Sequence, residues 1–334
     1  MFEDQTIEID VTRLTDGLFV VHLPLPVRME PVNCYVGLDD DGRATIIDAG
    51  LAYGAVAAWG DALAQIGLAA HDVDRIVVTH FHPDHIGGAG QLATLCDAPV
   101  WVSRITAEQS PPVWGQGLEL RFAEINEHLL DHGMPAERVA ELESETISAR
   151  AAVSLPNRFE LLEEGDELHF DGANWQVVLT PGHADGHLCL HDERGRRLLA
   201  GDHLLERVSP AVGLFPHNSL NPLQGYLASL ERTAALAIDL VLPGHGAPFS
   251  GAAARSRELL EHHDERLCAC IAALAGGPLS GHEVSLEVFG PQRDAANERF
   301  ALTETLAHLE LARSLGSVVR TPAAARPGWH YSAA

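Results

Sequence analysis

The stretch His80-Phe81-His82-Pro83-Asp84-His85 follows directly on residues 75–79, an apolar run typical of a buried strand. His80 and His82 lie two positions apart, so in an extended segment their side chains point to the same side. Asp84 and His85 begin a predicted helix and aim elsewhere, toward a second ion. Imidazole and carboxylate groups are ligands that zinc takes in its small coordination shells. Four such side chains within six residues therefore predict metal binding at the end of a strand.

This run resembles the signature of the metallo-β-lactamase superfamily, and the resemblance extends over about residues 18–250. It implies that further ligands lie in glycine-bearing turns after predicted strands. It also implies that Asp48, in Ile46-Ile47-Asp48-Ala49-Gly50, supports the ligands from a second layer. The implied metal ligands are His80, His82 and His183 for a first ion, Asp84, His85 and His245 for a second ion, and Asp202 as a bridge between them.

The chemistry that the resemblance implies is metal-dependent hydrolysis. Two zinc ions would share a hydroxide that attacks an electrophilic carbonyl group. The implied catalytic residues are Asp84, which orients the hydroxide and passes a proton to the leaving group, and Asp202. The similar flavodiiron branch has Glu where this chain has His82, so histidine here favours zinc hydrolysis over oxygen or nitric oxide reduction. Iron and manganese stay chemically compatible with such ligands.

Apolar runs and turn residues predict an α/β fold. Short runs between turns predict strands in two parts of the chain, residues 18–48 and 160–199. Helical periodicity covers residues 53–68 and 84–96. The apolar face of the first of these helices is predicted to consist of Val56, Trp59, Leu63 and Ile66. Two β-rich halves with helices outside them predict a four-layer αββα sandwich.

Two segments stand apart from this sandwich. Residues 111–150 are predicted to form a helical insertion, with helices over 114–132 and 136–148, that is either a lid or wall of the active site or a structural hairpin. Residues 253–334 are predicted to form a separate winged-helix-like domain, which leaves residues 1–252 as the catalytic domain. The third helix of the winged-helix-like domain mixes acidic residues with arginines, so it is not a basic DNA-reading helix. A structural or active-site-capping role is favoured for this domain.

Composition limits the partners and the compartment. The 22 basic residues are all Arg, they face 47 acidic residues, and the formal charge of −25 disfavours nucleic acid as a partner. Five scattered cysteines, with Cys268 and Cys270 taken as core residues, and an acidic N-terminus without a signal peptide predict a cytoplasmic protein. No membrane span is expected, because no window approaches 18 apolar residues. A homodimer is compatible with these features.

The substrate is less well defined than the chemistry. The C-terminal segment and residues 201–205 resemble a branch that includes thioesterases, glyoxalase II-like hydrolases and an endoribonuclease. The predicted function is hydrolysis of a small-molecule ester or thioester, with lactone hydrolysis and RNA cleavage as alternatives. The chain contains no Lys that could pair with the carboxylates of a glutathione thioester. No particular Arg can be identified that would take the place of such a Lys. Candidate pocket or supporting residues are His203, Tyr35, Asn33 and Asn218, the last in an apolar loop at 214–218.

Overall fold

Two β-sheets stacked face to face form the centre of the molecule. The structure is a computed structural model that describes residues 9–25, 31–115, 117–142, 150–323 and 328–334. Side chains from both sheets share one buried apolar cluster, which contains Val20 of the first sheet and Val177 of the second. Neighbouring residues point the other way, since Val21 and Val178 pack toward the outer helices. The predicted α/β sandwich is therefore confirmed.

The first sheet has seven strands in chain order. Its first four strands pair antiparallel, and the pairs β4–β5, β5–β6 and β6–β7 are parallel. Strand β1 was not predicted. It is a largely exposed edge strand and has no apolar pattern that would indicate a strand. The strands are β1 (Asp10–Arg13), β2 (Leu18–Leu23), β3 (Val32–Leu38), β4 (Ala44–Ile47), β5 (Val73–Val77), β6 (Val100–Ser103) and β7 (Phe159–Leu162).

The second sheet has five strands in the order β12-β11-β10-β9-β8. The pair β11–β12 is parallel, so the carboxyl ends of these two strands lie at the same edge of the sheet. The other neighbours are antiparallel. The strands are β8 (Glu167–Phe170), β9 (Ala173–Leu179), β10 (Leu188–Asp192), β11 (Arg197–Gly201) and β12 (Leu240–Pro243).

Helices cover the outer faces of both sheets. Helices α1 (Ala55–Ile66) and α3 (Ala89–Cys96) pack on the first sheet, and α7 (Pro222–Ala235) packs on the second. Trp59 and Leu63 of α1 are buried as predicted, whereas Val56 is exposed, so the predicted apolar face is wrong at that position. A short 3-10 helix, Ala70–Asp72, leads into β5.

The helix predicted over residues 84–96 is divided into α2 (Pro83–Ile86) and α3. The break lies at Gly87 and Gly88, whose backbone groups bond outside the helix. The carbonyl of Gly87 accepts from the N–H of Ser154, and the N–H of Gly88 donates to the carbonyl of Gly50, each at 2.7 Å. These long-range hydrogen bonds replace helical ones and let α2 carry Asp84 and His85 on a single turn.

The insertion is helical, but it starts earlier than predicted. Helix α4 (Arg104–Trp114) follows β6 directly because the hydroxyl of Ser103 caps it by accepting from the N–H of Thr106. Helices α5 (Leu118–Asp131) and α6 (Ala136–Glu141) follow. The rest of the helix predicted over 136–148 falls largely on residues 143–149, which lie outside the described residues.

The C-terminal segment contains three helices and a three-stranded sheet. The hydroxyl of Ser280 and the carboxylate of Glu283 form the predicted capping box. Cys268 is exposed, so its prediction as a core residue is wrong. One apolar cluster runs without interruption from the second sheet into this segment, and both the boundary at 252/253 and the winged-helix assignment stay predictions. The elements are α8 (Ala252–Ala273), a 3-10 helix (Leu274–Gly276), β13 (Leu279–Ser280), α9 (Gly281–Phe289), α10 (Ala295–Ser314), β14 (Val318–Pro322) and β15 (Trp329–Ala333), with sheet order β13-β15-β14.

Among the described ranges, no helix has both the length and the apolar character that crossing a bilayer requires.

Close packing between the sheets predicts the effect of a glycine substitution. Gly37 of β3 faces the ring of Phe170, which stacks on Trp175 at 5.0 Å between centroids, and a Cβ at Gly37 would overlap that ring. Gly37→Ala should lower the free energy of unfolding by about 1–3 kcal/mol. The matched control is Gly60→Ala on the exposed face of α1, where a Cβ meets nothing and helix propensity should add about 0.5–1 kcal/mol. Denaturant unfolding measures both, and equal effects would contradict this packing.

Candidate metal centre

The turns that carry the candidate ligands meet at the carboxyl ends of strands. Parallel pairing of β4 with β5 brings the turn with Asp48 beside the one with His80. Parallel pairing of β11 with β12 does the same for Asp202 and His245. The turn after β9 carries His183 to the same place. The structure therefore brings all seven predicted ligands into one cluster, as three overlapping groups of side chains that could hold a metal ion: His80, His82 and His183; His80, His85 and Asp202; and Asp84, His85 and His245.

In the first group, ring nitrogens face each other without enough protons to pair them. Thr79 uses its hydroxyl hydrogen on the carboxylate of Asp48, so its oxygen accepts from Nδ1 of His80 at 3.0 Å. His183 donates its Nδ1 hydrogen to the carbonyl of Ala211 at 2.8 Å. The Nε2 atoms of His80 and His183 are therefore lone-pair acceptors, and they lie 3.0 and 2.8 Å from Nδ1 of His82. One hydrogen on His82 satisfies one of them at most, so a cation fits this group.

The second group contains buried polar atoms that lack hydrogen-bond partners. His85 donates its Nδ1 hydrogen to Asp48 at 2.8 Å, which leaves Nε2 to hold either a proton or a metal ion. Among the described residues, neither that Nε2 nor Oδ1 of Asp202 has a hydrogen-bond partner, although both are buried and lie 3.4 Å apart. Leaving buried polar atoms unpaired costs free energy. A divalent cation would remove this cost, so the donor set fits a metal.

Asp202 lies between His183 of the first group and His245 of the third group. Its Oδ2 is 3.5 Å from Nε2 of His183 and 3.6 Å from Nε2 of His245. Asp84 completes the second side, with its Oδ2 3.3 Å from Nε2 of His245. This is the position that the resemblance implies for a bridging carboxylate.

The pKa values of the histidines are lowered in the first group and raised for His85 and His245 of the third group. Burial and the neighbouring His183 lower the pKa of His82 to about 3, and burial also lowers the pKa values of His80 and His183. For His85, burial acts to lower the pKa, but the carboxylates of Asp202, Asp48 and Asp84 outweigh it and raise the pKa well above its usual range. The pKa of His245 is raised against burial in the same way, by Asp84 and Asp202.

Asp48 supports ligands on both sides of the cluster. It is buried and accepts hydrogen bonds from the backbone and hydroxyl of Thr79 and from His85. Its φ of 63° lies in the left-handed region, which Asp tolerates better than most residues. Such second-layer carboxylates fix the tautomer and orientation of a metal-binding imidazole.

His187 is a supporting residue that sequence reasoning missed. Its Nδ1 donates to the hydroxyl of Thr180 at 2.7 Å, and its Nε2 accepts from the N–H of Asp202 at 3.1 Å. The available signal was its position four residues after His183, in a segment of the form Gly-His-Ala-Asp-Gly-His. His187 thereby fixes the backbone that presents the central carboxylate.

Tyr35 and Asn33 hold the turn of His245. The hydroxyl of Tyr35 donates to the carbonyl of Pro243 at 2.8 Å, and the amide of Asn33 donates to the carbonyls of Pro243 and Gly246. Both side chains are buried, so they act behind the cluster.

The two other candidates lie in different settings. His203 is fully buried, bonds the hydroxyl of Thr233 at 2.8 Å and packs between the rings of His187 and Tyr226. Asn218 accepts a hydrogen bond from Arg121 of the insertion at 2.6 Å.

Comparison with known proteins identifies the family of the chain. A family model described as the metallo-beta-lactamase superfamily matches residues 27–245. The chain belongs to the metallo-beta-lactamase superfamily. This superfamily member is 27% identical over 309 residues to "Probable metallo-hydrolase YqjP" of Bacillus subtilis (strain 168), with 89% of this chain and 92% of that protein covered.

Solved structures of the superfamily share the fold of this member along nearly the whole chain. A metallo-beta-lactamase family protein from Thermus thermophilus is 35% identical, with a TM-score of 0.84 over 96% of this chain and 100% of that one. A beta-lactamase domain protein from Burkholderia ambifaria is 32% identical, with a TM-score of 0.86 over 97% and 94%. The protein is a hydrolytic enzyme, a metallo-hydrolase of this superfamily.

The pKa difference between the two groups predicts how bound metal responds to acid. In the metal-free chain, His85 and His245 hold protons at higher pH than His80, His82 and His183, and a proton competes with a metal for the same nitrogen. As pH falls, the metal bound by Asp84, His85 and His245 should therefore leave before the metal bound by His80, His82 and His183. Metal content after dialysis at stepwise lower pH should fall in two steps, and loss in a single step would contradict the difference.

Proposed function

We propose that this superfamily member is a dinuclear zinc hydrolase that cleaves an ester or thioester bond in a small molecule. The observation that carries the proposal is the position of Asp202 between two sets of ligand-type side chains, in which Nε2 of His85 and Oδ1 of Asp202 itself are buried without a hydrogen-bond partner among the described residues. Two cations would satisfy the two sets together, with the carboxylate shared between them.

The residues that would hold the metals divide as the geometry divides them. His80, His82 and His183 would bind one ion; Asp84, His85 and His245 would bind the other; and Asp202 would contact both. When bound, such ions supply Lewis acidity and make a water molecule much more acidic. The preponderance of imidazole ligands favours zinc, with iron or manganese as alternatives for metal replacement to test.

Asp84 is the residue placed to manage protons. Its side chain is 22% exposed, against 10% for Asp202, so it is the carboxylate that incoming water and substrate reach more readily. Burial acts to raise its pKa, but His85 and His245 lower it to about 2, so the carboxylate is ionised at neutral pH. An Asp84 oxygen then accepts a hydrogen bond from the attacking water and orients it toward the carbonyl carbon.

The hydrolysis balances with these residues. The water oxygen forms a bond to the carbonyl carbon, and the bond from that carbon to the ester oxygen or thioester sulfur breaks. Asp84 takes up one proton of the water and delivers it to the departing oxygen or sulfur. The other side chains stay in place. Asp202 is held by the hydrogen bond to His187, and His183 by the carbonyl of Ala211. The turn of His245 is held by Asn33.

Charge and packing favour a small molecule over RNA. The net charge of −25 repels a phosphate backbone. In α10, Glu298 is used internally, since it pairs with Arg138 of the insertion at 2.6 Å and with His282 at 2.7 Å. The N–H of Leu214 donates to the carbonyl of Thr303 of α10. These contacts support a capping role for the C-terminal helices over the segment that holds His183.

We propose a cytoplasmic setting from the state of the cysteines. The five cysteines are free thiols, four of them buried, which suits a reducing cytoplasm. A homodimer stays a prediction.

The test is hydrolysis of a substrate panel by the zinc-loaded protein. The panel contains thioesters, aryl esters, acyl homoserine lactones and single-stranded RNA. We expect turnover of an ester or thioester, and Asp84→Ala should lower kcat/KM by about a hundredfold or more. The matched control is His71→Ala, an exposed residue whose ion-pair partner is Asp72, which should keep full activity. Turnover of RNA alone, or full activity of Asp84→Ala, would refute the proposal.

A further inference from the structure

Arg121 of α5 is a buried cation without a carboxylate partner. The residue is 9% exposed. Among the described residues, no carboxylate lies within ion-pair distance of its guanidinium, and its hydrogen bond goes from Nη2 to the neutral Oδ1 of Asn218 at 2.6 Å. Burying a charge without a counter-ion is costly, so such a group is expected to meet an anion in the working protein.

The two acidic residues whose charge acts on Arg121 are occupied by other donors. Glu124 pairs with Nε2 of His217 at 3.1 Å. One oxygen of Asp185 accepts from the amide of Gln109 and from the N–H of Ser219, each at 2.8 Å. Burial lowers the pKa of Arg121 and these two carboxylates raise it, but a guanidinium stays charged at any physiological pH.

The partner of Arg121 is attached to the turn that carries His183. The segment 211–219 bonds to this turn at both ends. The carbonyl of Ala211 accepts from His183 at 2.8 Å, and the N–H of Ser219 donates to Asp185, two residues after His183. Asn218 is the neighbour of Ser219, so its contact with Arg121 lies beside the metal-ligand turn.

The insertion also contacts the other side of the cluster. The indole of Trp114 at the end of α4 donates to the carbonyl of Phe81 at 2.7 Å, between His80 and His82. The end of α4 therefore contacts the metal-ligand segment, and α5, which contacts α4, carries Arg121.

We propose that Arg121, oriented by Asn218, binds a carboxylate or phosphate group of the substrate and so selects anionic esters or thioesters. The substrate class rests on the proposed function. A guanidinium has five N–H donors in a planar fork that matches carboxylate and phosphate oxygens, and the contact with Asn218 occupies one of them. In a chain with a net charge of −25, such a site supplies an attraction for anions that the overall charge opposes.

Three thioesters with one acyl length separate the sources of the anion. Hexanoyl-N-acetylcysteamine is neutral, adipoyl-N-acetylcysteamine adds a carboxylate at the far end of the acyl chain, and hexanoyl-coenzyme A adds phosphates on the thiol side. The wild-type protein should prefer at least one anionic thioester over the neutral one. A preference for the adipoyl compound that Arg121→Gln abolishes assigns a carboxylate, and a preference for the coenzyme A compound that Arg121→Gln abolishes assigns a phosphate.

The deciding variant is Arg121→Gln. It should raise KM for the preferred anionic thioester about tenfold to a hundredfold, while leaving kcat/KM for the neutral thioester within about twofold. The matched control is Arg158→Gln, which removes the same charge from an exposed residue paired with Glu160 and should change neither. Arg121→Lys keeps the charge without the fork and should fall between wild type and Arg121→Gln.

A binding measurement keeps the site separate from the reaction. Calorimetry with the S-hexyl thioethers of coenzyme A and N-acetylcysteamine, and with the 5-carboxypentyl thioether of N-acetylcysteamine, needs no hydrolysis. Tighter binding of an anionic thioether that Arg121→Gln removes would support the site even if no thioester were hydrolysed, which would reject the proposed function alone. Equal wild-type affinity for charged and neutral thioethers, or an equal loss for both in Arg121→Gln, would overturn the anion site.

Discussion

Lone pairs of buried nitrogen and oxygen atoms converge on Asp202 from several turns, and too few hydrogens are available there to pair them. The Nδ1 hydrogens of His80, His183 and His85 are committed outward, to Thr79, Ala211 and Asp48, so the Nε2 atoms face the centre of the cluster. Like acceptors repel when they are desolvated together, so the arrangement is unfavourable without positive charge. A pair of cations resolves this conflict, and the rest of the site can be understood as the means of holding the acceptors in place.

The fold holds them by strand register and by hydrogen bonds to the backbone. Parallel pairs in each sheet align the turns, and the sheets are kept in contact by side chains such as Phe170 and Trp175. Behind the ligands, His187 fixes Asp202 and Asn33 fixes the turn of His245. The insertion contacts this edge through Trp114, and the C-terminal helices contact the segment beside it through Thr303. In the proposed function, these two segments distinguish one substrate from another, and the turns hold the metal.

The sequence was sufficient for the sandwich and for the four ligand-type residues from His80 to His85, which form a dense local pattern after an apolar strand. The resemblance to the superfamily supplied His183, Asp202 and His245. It was insufficient for features that depend on distant contacts. The break at Gly87 depends on Ser154 and Gly50, and the early start of α4 depends on a cap at Ser103. The role of His187 depends on its hydrogen bond to Asp202, which no sequence pattern indicates. Arg121 lies in no motif that would predict its burial beside Asn218.

In the proposed function, the cluster around Asp202 holds two metal ions at once. Elemental analysis of the full chain, reconstituted with zinc and freed of excess metal by gel filtration, tests it most directly. We expect two zinc ions per chain, because the ligand side chains form two sets on either side of one carboxylate. A fully reconstituted sample that retains one ion or none would contradict the dinuclear site.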